Sequence, residues 1–387
     1  MSPINVGFIG LSTTGWAATC LAPALIHPKL QGKFNLVALS TSNAASSEST
    51  TEKYSTLTGT QITTYHGTSG TTSIANDPRV DLVAVSVKAP MHRELVMPAI
   101  DAGKNVFVEW PVGVSLDETK EIAEAARRTG AKVMVNLNAR NNGVVKKLKE
   151  LIDSGAIGKV RSSTFVGTMY RESGLWVPWT FPVYKFALDK QQGATFLNVA
   201  VGHYLDAQST VLGNYTSVTA TSSKQFPFAN VLASNDAFTT HQFDATSETV
   251  PNTSPDHYTF SGPLTNGAHS TVVWLSGASY GPGKKLLQWD IYGETGVISL
   301  QSSHPFMQIA NPDLFLNGEK VTVEGVAATV TETVTPFGDV VDIQVNSWQA
   351  YADGAGYATI DDAIRVKKTL EAIEKSAEEG RTVVLSE

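Results

Sequence analysis

Two glycines stand five residues apart just after an apolar run, in the stretch "VGFIGLSTTGWA". Gly10 and Gly15 hold the first and third places of the pattern G-x-G-x-x-G, which joins a strand to a helix and carries the pyrophosphate of a dinucleotide. The first glycine permits the tight turn, and the third lets the helix pack against the strand. Ser12 replaces the middle glycine, and its hydroxyl can itself donate to a phosphate. The alternative is a domain of the same fold without a nucleotide. The predicted cofactor loop comprises Gly10, Leu11, Ser12, Thr13, Gly15 and Trp16.

Hydroxyl groups follow the second predicted strand, in the stretch "LSTSN". Ser40, Thr41 and Ser42 stand where an NAD-specific site usually has an acid for the adenine ribose. Hydroxyls can hydrogen-bond a 2'-phosphate, and no carboxylate is present there to repel it. We therefore expect NADP to be favoured over NAD as the cofactor.

The first third of the chain alternates apolar runs with amphipathic stretches. "INVGFIG", "FNLVALS", "VDLVAVSV", "NVFVEW" and "KVMVNL" are typical of buried strands, with helical patterns such as "LDETKEIAEAARRTG" between them. Repeated strand, helix, strand order predicts an α/β fold with a Rossmann-type, doubly wound parallel sheet. The Ser- and Thr-rich residues 40–72 are interpreted as a solvated helix plus a loop.

The pattern changes after "NNGVVKKLKELIDSGAIGKV" to long alternating segments. These predict an α+β domain with an open, mainly antiparallel sheet, interrupted by the helix "GATFLNVAVGHYLDAQSTVLG". We expect a dinucleotide-binding domain over residues 1–138 and a substrate and oligomerisation domain over 139–387. The last helix, 360–380, could pack back on the first domain. Cofactor and ligand would then meet in a cleft between the domains.

Composition excludes several classes of protein. The net charge of −7 over 387 residues gives no basic surface for nucleic acid, so we expect no direct nucleic-acid binding. The single cysteine, Cys20, excludes an internal disulfide, and no spacing of histidines and acids predicts a metal site. Neither a membrane span nor a secretory signal is visible. The expected location is the cytoplasm, or the nucleus if the protein is a regulator.

Three further stretches resemble a known family. "DPRVDLVAVSVKAPMHRELVMPAIDAGKNVFVEWPV", "RNNGVVKKLKELIDSGAIGKV" and "GATFLNVAVGHYLDAQSTVLG" occur in the order and spacing of the glucose-fructose oxidoreductase / inositol dehydrogenase / MocA family. "GW" at 15–16, "VEW" at 108–110 and "SPDHYTFSGPLTNG" most resemble the fungal galactose/lactose regulon repressor subgroup. The resemblance implies NAD(P) binding and a homodimer formed through the C-terminal sheet. For the subgroup it also implies a protein partner, a transcriptional activator that the repressor masks.

The resemblance also locates catalytic positions. Family dehydrogenases use a lysine in an E-K-P motif, and an aspartate four residues before a histidine. Here Glu109 and Pro111 flank Trp110 in place of the lysine, and counting back four from His203 gives Val199 in place of the aspartate. His203 is a candidate acid/base or substrate donor; the alternative is a helix histidine satisfied by a backbone carbonyl.

The remaining candidates line the predicted carboxyl edge of the sheet and the expected cleft. Lys88 and Tyr184 are alternative catalytic groups, although a solvated lysine and an aromatic packing residue are the plainer interpretations. Trp110, Arg140, Trp176, Tyr184 and His203 are candidates for substrate binding. The remaining predicted cofactor contacts are Ser86, Val87, Lys88, His92, Glu109, Trp110 and Asn138.

Two functions follow from these patterns. The first is an NAD(P)-dependent oxidoreductase that transfers hydride to or from a small-molecule carbonyl, imine, alkene or sugar. The second is a non-catalytic co-regulator that senses NAD(P) and binds a protein activator. The loss of the lysine and the aspartate, together with the "PDHYTFSG" signature, motivates the second function.

Overall fold

Two units make up the chain in the computed structural model, which describes residues 2–235, 243–279, 281, 283–326 and 339–385. The first unit comprises Met1–Asn141 and Val340–Ile364, and the second comprises Asn142–Asp339 and Arg365–Glu387. The boundary predicted at 138 lies three residues before the end of the first segment. The predicted boundary did not anticipate that the first unit also includes residues 340–364.

Strands occur in both units of the described chain. In chain order they are β1 (Ile4–Ile9), β2 (Phe34–Thr41), β3 (Thr63–His66), β4 (Leu82–Val85), β5 (Asn105–Val108), β6 (Val133–Val135), β7 (Val160–Tyr170), β8 (Trp179–Thr180), β9 (Ser217–Ser223), β10 (Phe228–Leu232), β11 (Ala245–Pro251), β12 (His257–Pro263), β13 (His269–Ala278), β14 (Leu287–Gly293), β15 (Val297–Ser302), β16 (Asp313–Leu316), β17 (Glu319–Lys320), β18 (Ala358–Thr359) and β19 (Val383–Val384).

Helices alternate with the strands of the first unit and flank the sheet strands of the second. They are α1 (Ala22–Leu25), α2 (Ala44–Thr58), α3 (Gly67–Asn76), α4 (His92–Asp101), α5 (Leu116–Thr129), α6 (Gly143–Asp153), α7 (Gly202–Leu212), α8 (Val340–Ala352) and α9 (Ile360–Glu379). Wide π turns precede α1 and α7, over Ala17–Leu21 and Leu197–Val201.

The first unit is built on a sheet of order β18-β6-β5-β4-β1-β2-β3. All its pairs are parallel except β18 with β6. The chain leaves β1 for β2 on one side and later returns to β4 on the other, which places a topological switch point at the end of β1. The predicted doubly wound parallel sheet is confirmed. The solvated helix predicted within 40–72 is α2. The strand β3, which follows it, was not predicted, because the short run "TTYH" has no apolar pattern that reveals a strand.

A late helix completes the core of the first unit. Trp348 on α8 is fully buried, and its ring lies 4.7 Å from that of Phe107 and 5.3 Å from that of Phe34. These contacts join residues more than 200 positions apart in the chain. Local sequence patterns carry no information about such pairings, which is why the predicted second domain includes residues 340–364.

The second unit contains a sheet of order β17-β16-β15-β14-β7-β13-β12-β9-β19. Most of its pairs are antiparallel, which confirms the predicted fold class, but the central pair of β7 and β13 is parallel. Phe165, Trp274 and Trp289 lie buried on one face, and Tyr204 of α7 packs there with its ring 3.9 Å from that of Phe165. The strands therefore alternate between this covered face and a more exposed one.

A second, three-stranded sheet of order β11-β10-β8 was not predicted. Phe181 and Leu232 form its small apolar cluster, with Trp179, Tyr184 and Phe243 packed against it. Two of its strands come from the segment between β9 and β12, and the third has only two residues. The two-residue strand is too short to show a pattern, and β11, "ATSETVP", is polar and exposed along most of its length, so it shows no apolar alternation.

Candidate functional site

The ends of three neighbouring strands meet at Gly10. Its N–H donates to the carbonyl oxygen of Ser40 over 3.0 Å, and the N–H of Ser86 donates to the carbonyl of Ile9 over 3.1 Å. Gly10 has a φ of +87°, and a Cβ there would overlap the carbonyl oxygen of Ser86. Only glycine fits, because both the backbone conformation and the space exclude a side chain.

Gly15 is required for a different reason from the predicted one. Its φ is also +87°, but a Cβ there would meet nothing within 4 Å. The prediction that this glycine lets the helix pack against the strand is therefore wrong. Gly15 instead reverses the chain, so that its carbonyl accepts from the N–H and the hydroxyl of Thr19 at the start of the helix.

The loop between these glycines is exposed from Thr13 to Gly15. Leu11 is fully buried, and its predicted contact with the cofactor stays a prediction. The hydroxyl of Ser12 donates to the carbonyl of Thr14 over 2.6 Å, which holds the loop rather than leaving this proton for a phosphate. The loop thus offers mainly backbone N–H groups near a helix start, the arrangement that binds anions in many proteins.

The three hydroxyls at the end of β2 are not equivalent. Ser40 is 3% exposed, with its hydroxyl against Gly70 of α3. Thr41 is also buried, and its hydroxyl donates to the carbonyl of Asn43 over 3.0 Å. Ser42 alone among the three is exposed, beside Asn43, whose side chain caps α2. A 2'-phosphate would therefore meet Ser42 and Asn43 more readily than Ser40 or Thr41.

His92 lies behind the cofactor loops rather than facing a ligand. It is 1% exposed; Nδ1 lies 2.7 Å from the carbonyl oxygen of Pro111 and Nε2 lies 3.1 Å from that of Val87. Burial lowers the pKa of the imidazole. The neutral ring has one N–H, so it donates to only one of these two carbonyls, and it packs between the loop after β4 and the loop after β5. The predicted cofactor contact of His92 stays a prediction.

Glu109 receives hydrogen bonds from three parts of the first unit. Its Oε1 accepts from the indole of Trp16 and its Oε2 from the amide of Asn136, both over 2.9 Å, and the backbone N–H of Trp110 also donates to the carboxylate. Burial has a larger effect than these hydrogen bonds and raises the pKa of Glu109 to about 7. The Cys20 thiol lies near Glu109, and its own pKa is raised by burial and by the charge of that carboxylate. The sequence places Asn136 among the polar groups at the carboxyl edge of the sheet, but its hydrogen bond to Glu109 was not predicted, since no local pattern joins these positions.

The side chains after β4, β5 and β6 differ in exposure. Trp110 is 6% exposed and precedes a cis bond to Pro111, whereas Lys88 is exposed. Asn138 is buried. Arg140 was predicted to bind substrate, but its guanidinium is mostly buried and lies 3.1 Å from the carboxylate of Asp362, within the first unit. This ion pair joins the start of α9 to the segment after β6, which gives Arg140 a structural role.

His203, on α7 of the second unit, is 8% exposed. Its Nδ1 is buried and has no hydrogen-bond partner in the part of the chain that the structure describes. Burial lowers the pKa of the ring to about 3, so the imidazole is neutral. A backbone carbonyl does not satisfy Nδ1, contrary to the plainer interpretation, and a buried polar atom without a partner costs about 1–3 kcal/mol. Such an atom calls for a partner, which an ordered water or a ligand can provide.

The π turn before α7 changes the count from His203. Gly202 donates to the carbonyl of Leu197, five residues back, so one turn here spans between four and five residues. The aspartate position predicted at Val199 corresponds equally to Asn198. Asn198 is polar, and its Oδ1 accepts from the ammonium of Lys367 over 3.2 Å. Lys367 is only 2% exposed, and neither residue was predicted, because a π turn has no sequence signal that reveals it.

Trp176 and Tyr184 belong to packed regions of the second unit. Trp176 is 5% exposed, donates to the carbonyl of Ala194 over 3.1 Å and packs edge-on against Phe196. The ring and the N–H of Trp176 thus make contacts inside the unit, and its predicted substrate contact stays a prediction. Tyr184 is half-buried among the rings of Phe181 and Phe186.

Metal-binding clusters and membrane-spanning helices are both absent from the described residues. Among them, no three histidine, cysteine, aspartate or glutamate side chains are grouped closely enough to hold a metal ion. Within the same residues, every helix is too short or too polar to cross a membrane.

The glycine turn at a switch point of a parallel sheet defines a Rossmann-type protein, and sequence comparison agrees with this. Residues 4–137 match the model of the oxidoreductase family with an NAD-binding Rossmann fold, and residues 143–302 match that of the Gal80p C-terminal domain. Dehydrogenase aclE of Aspergillus oryzae is 30% identical over 98% of this chain and 97% of its own length. The Saccharomyces cerevisiae galactose/lactose metabolism regulatory protein GAL80 is 27% identical over 82% of this chain and 71% of its own.

Solved structures show the same fold. A super-repressor mutant of Gal80p from Saccharomyces cerevisiae superposes with a TM-score of 0.85 at 24% identity, over 100% of this chain and 98% of its own. Levoglucosan dehydrogenase in complex with NADH and L-sorbose superposes with a TM-score of 0.74 at 18% identity, over 99% of both chains. The chain therefore belongs to the glucose-fructose oxidoreductase / inositol dehydrogenase / MocA family, in its Gal80-like subgroup. Membership implies a nicotinamide cofactor.

The two glycines of the loop predict different costs of substitution. Gly15→Ala adds a methyl group in open space, so only the positive φ opposes it, at about 1–2 kcal/mol. Gly10→Ala also forces a methyl group onto the backbone of Ser86, and we expect a loss of more than about 3 kcal/mol. Urea unfolding followed by circular dichroism measures both losses. Equal losses would contradict the assigned packing of Gly10.

The raised pKa of Glu109 predicts a pH dependence of stability. The folded state holds this proton up to about pH 7, whereas the unfolded chain releases it near the ordinary value of 4.5. The contribution is therefore present below pH 4.5 and is lost as the pH rises through 7. The loss is about 1–3 kcal/mol. Glu109→Gln removes this titration, so its free energy of unfolding should fall less than that of the native protein between about pH 5 and 8. Parallel pH profiles for the two proteins would refute this role.

Proposed function

We propose that the protein binds a nicotinamide dinucleotide, NADP in preference to NAD, and uses it to oxidise or reduce a small molecule. The observation that carries this proposal is the closure of the β1, β2 and β4 ends around Gly10, below an exposed loop of backbone N–H groups. Family membership and the dehydrogenase aclE support the same conclusion. The substrate group that is oxidised or reduced would be a carbonyl, an imine, an alkene or a sugar carbinol.

The residues of the first unit fit a dinucleotide. Loop N–H groups from Ser12 to Thr14 would hold the pyrophosphate, and Ser42 with Asn43 would meet the adenosine end. The Oδ1 of Asn136 is a buried acceptor without a partner among the described residues, which a bound donor group would satisfy. When bound, the cofactor would supply the hydride chemistry.

The protein's own part is to orient its ligands and to place one hydrogen-bonding group. Trp110 replaces a charged lysine with an apolar, largely buried ring, so it would exclude water beside it. We assign the substrate-binding role in the second unit to the neutral imidazole of His203, whose Nδ1 would accept from or donate to a substrate oxygen or nitrogen. Lys88 and Tyr184 are the other candidates for proton transfer.

A redox assay tests the proposal. The protein is incubated with NADPH or with NADP, and with sugars, carbonyls, imines and activated alkenes, while absorbance of the reduced cofactor is followed. His203→Ala should lower kcat/KM by about 100-fold or more if Nδ1 contacts the substrate. His257→Ala, a partly exposed histidine on β12 of the same unit, is the matched control and should leave the rate unchanged. Equal kcat/KM values for the two variants would show that His203 does not contact the substrate.

A regulatory function is the second candidate. It is supported by the Gal80p C-terminal domain match over 143–302 and by Trp110 in place of the lysine. On this view the protein senses NAD(P) and binds a transcriptional activator without turning over a substrate. Tight cofactor binding without turnover on any substrate class, together with cofactor-dependent binding to an activation domain, would favour it over the enzyme.

We also propose a homodimer formed through the more exposed face of the nine-stranded sheet. Val166, Val273 and Leu275 present apolar side chains there, and Tyr292 is 41% exposed. A broad sheet face of this kind is stabilised when a second copy covers it.

Charge placed on this face should break the dimer. Tyr292→Arg is expected to shift the sedimentation coefficient from that of a dimer to that of a monomer at micromolar concentration, because a buried, unpaired guanidinium is costly. Phe228→Arg is the matched control, since Phe228 is 56% exposed on the three-stranded sheet. A Tyr292→Arg variant that sediments like the native protein would exclude this face.

A further inference from the structure

A lysine from α2 reaches the cofactor loop. The ammonium of Lys53 donates to the carbonyl oxygen of Thr13 over 2.9 Å, and it lies 5.2 Å from the centre of the Tyr54 ring. The side chain is half-buried, whereas Thr13 is exposed. A positive charge is thus held at the rim of the loop by contacts within the first unit.

This charge is not neutralised by a carboxylate of the described residues. Within that part of the chain Lys53 forms no ion pair, whereas Lys29 and Lys33 of the same unit pair with Asp342 and Asp353. Glu48 and Glu52 are on the same helix as Lys53, but their side chains are exposed and neither forms that ion pair. An ammonium carries three donors, and the Thr13 carbonyl uses one of them. The remaining donors can reach an anion at the loop.

We propose that Lys53 is the cation that holds a phosphate group of the bound dinucleotide. The inference rests on the proposed cofactor site. The loop needs such a group, because Ser12 replaces the middle glycine and uses its hydroxyl within the loop, and because the β2 end contributes only Ser42 and Asn43 as exposed polar groups. A charge-assisted hydrogen bond from an ammonium to a phosphate is stronger than a neutral one.

Two phosphates of the cofactor have this chemistry. The pyrophosphate is common to NAD and NADP, and the 2'-phosphate is present in NADP alone. Calorimetric titration of the full chain with NADP and with NAD separates them. The proteins to be compared are the native chain, Lys53→Gln, Lys53→Arg and the control Lys120→Gln, which removes a partly exposed lysine of α5 in the same unit.

Lys53→Gln is expected to weaken binding of NADP, or of both dinucleotides, by about tenfold. Lys53→Arg should retain most of the affinity, and Lys120→Gln all of it. The affinity of Lys53→Gln should also depend less on salt than that of the native protein, because one ionic contact is lost. Weakening confined to NADP assigns Lys53 to the 2'-phosphate, and equal weakening of both assigns it to the pyrophosphate.

Unchanged affinities for both dinucleotides in Lys53→Gln would overturn the inference while leaving the proposed function intact. Failure of the native protein to bind either dinucleotide would overturn both. The thermal midpoint of each variant confirms folding. The difference in salt dependence between the native protein and Lys53→Gln provides a second measurement, and equal salt dependence would contradict the inference.

Discussion

The carboxylate of Glu109 is the interaction on which the first unit's ligand-facing edge depends. It accepts hydrogen bonds from Trp16 at the start of the first helix, from Asn136 after β6 and from the backbone of Trp110 after β5. One side chain thereby fixes three loops that are far apart in sequence. Because the group is buried, its charge remains costly even with these donors, and its pKa is raised to about 7.

His92 packs between two of the same loops. Its two ring nitrogens lie near carbonyl oxygens of Val87 and Pro111, and the one N–H of the neutral ring donates to one of them. Glu109 and His92 therefore both contact the segment that carries Trp110. Where the family has a lysine, this segment holds an apolar and largely buried ring.

The parallel sheet was predictable from the sequence, because buried parallel strands are continuous apolar runs and the glycine loop follows the first of them directly. The meeting of Gly10 with the ends of β2 and β4 was predictable too, since the carboxyl ends of parallel strands share one edge. By contrast, no local pattern could show that Trp348 completes this unit's core, or that Lys53 contacts Thr13, because both are long-range pairings. The burial of Trp176 could not be predicted for the same reason, since it depends on contacts with Ala194 and Phe196.

The wide turn before α7 has a consequence for how members of this family diverge. A wide turn takes up one extra residue, so that positions five apart in the sequence lie where a regular helix would place positions four apart. Removing one residue between Asn198 and His203 would restore the regular spacing of four residues, which puts two side chains within about 40° of each other around the helix axis. The amide that is paired with Lys367 and the imidazole would then stay on one helix face. The wide turn therefore allows the spacing of these two positions to differ by one residue without separating their side chains.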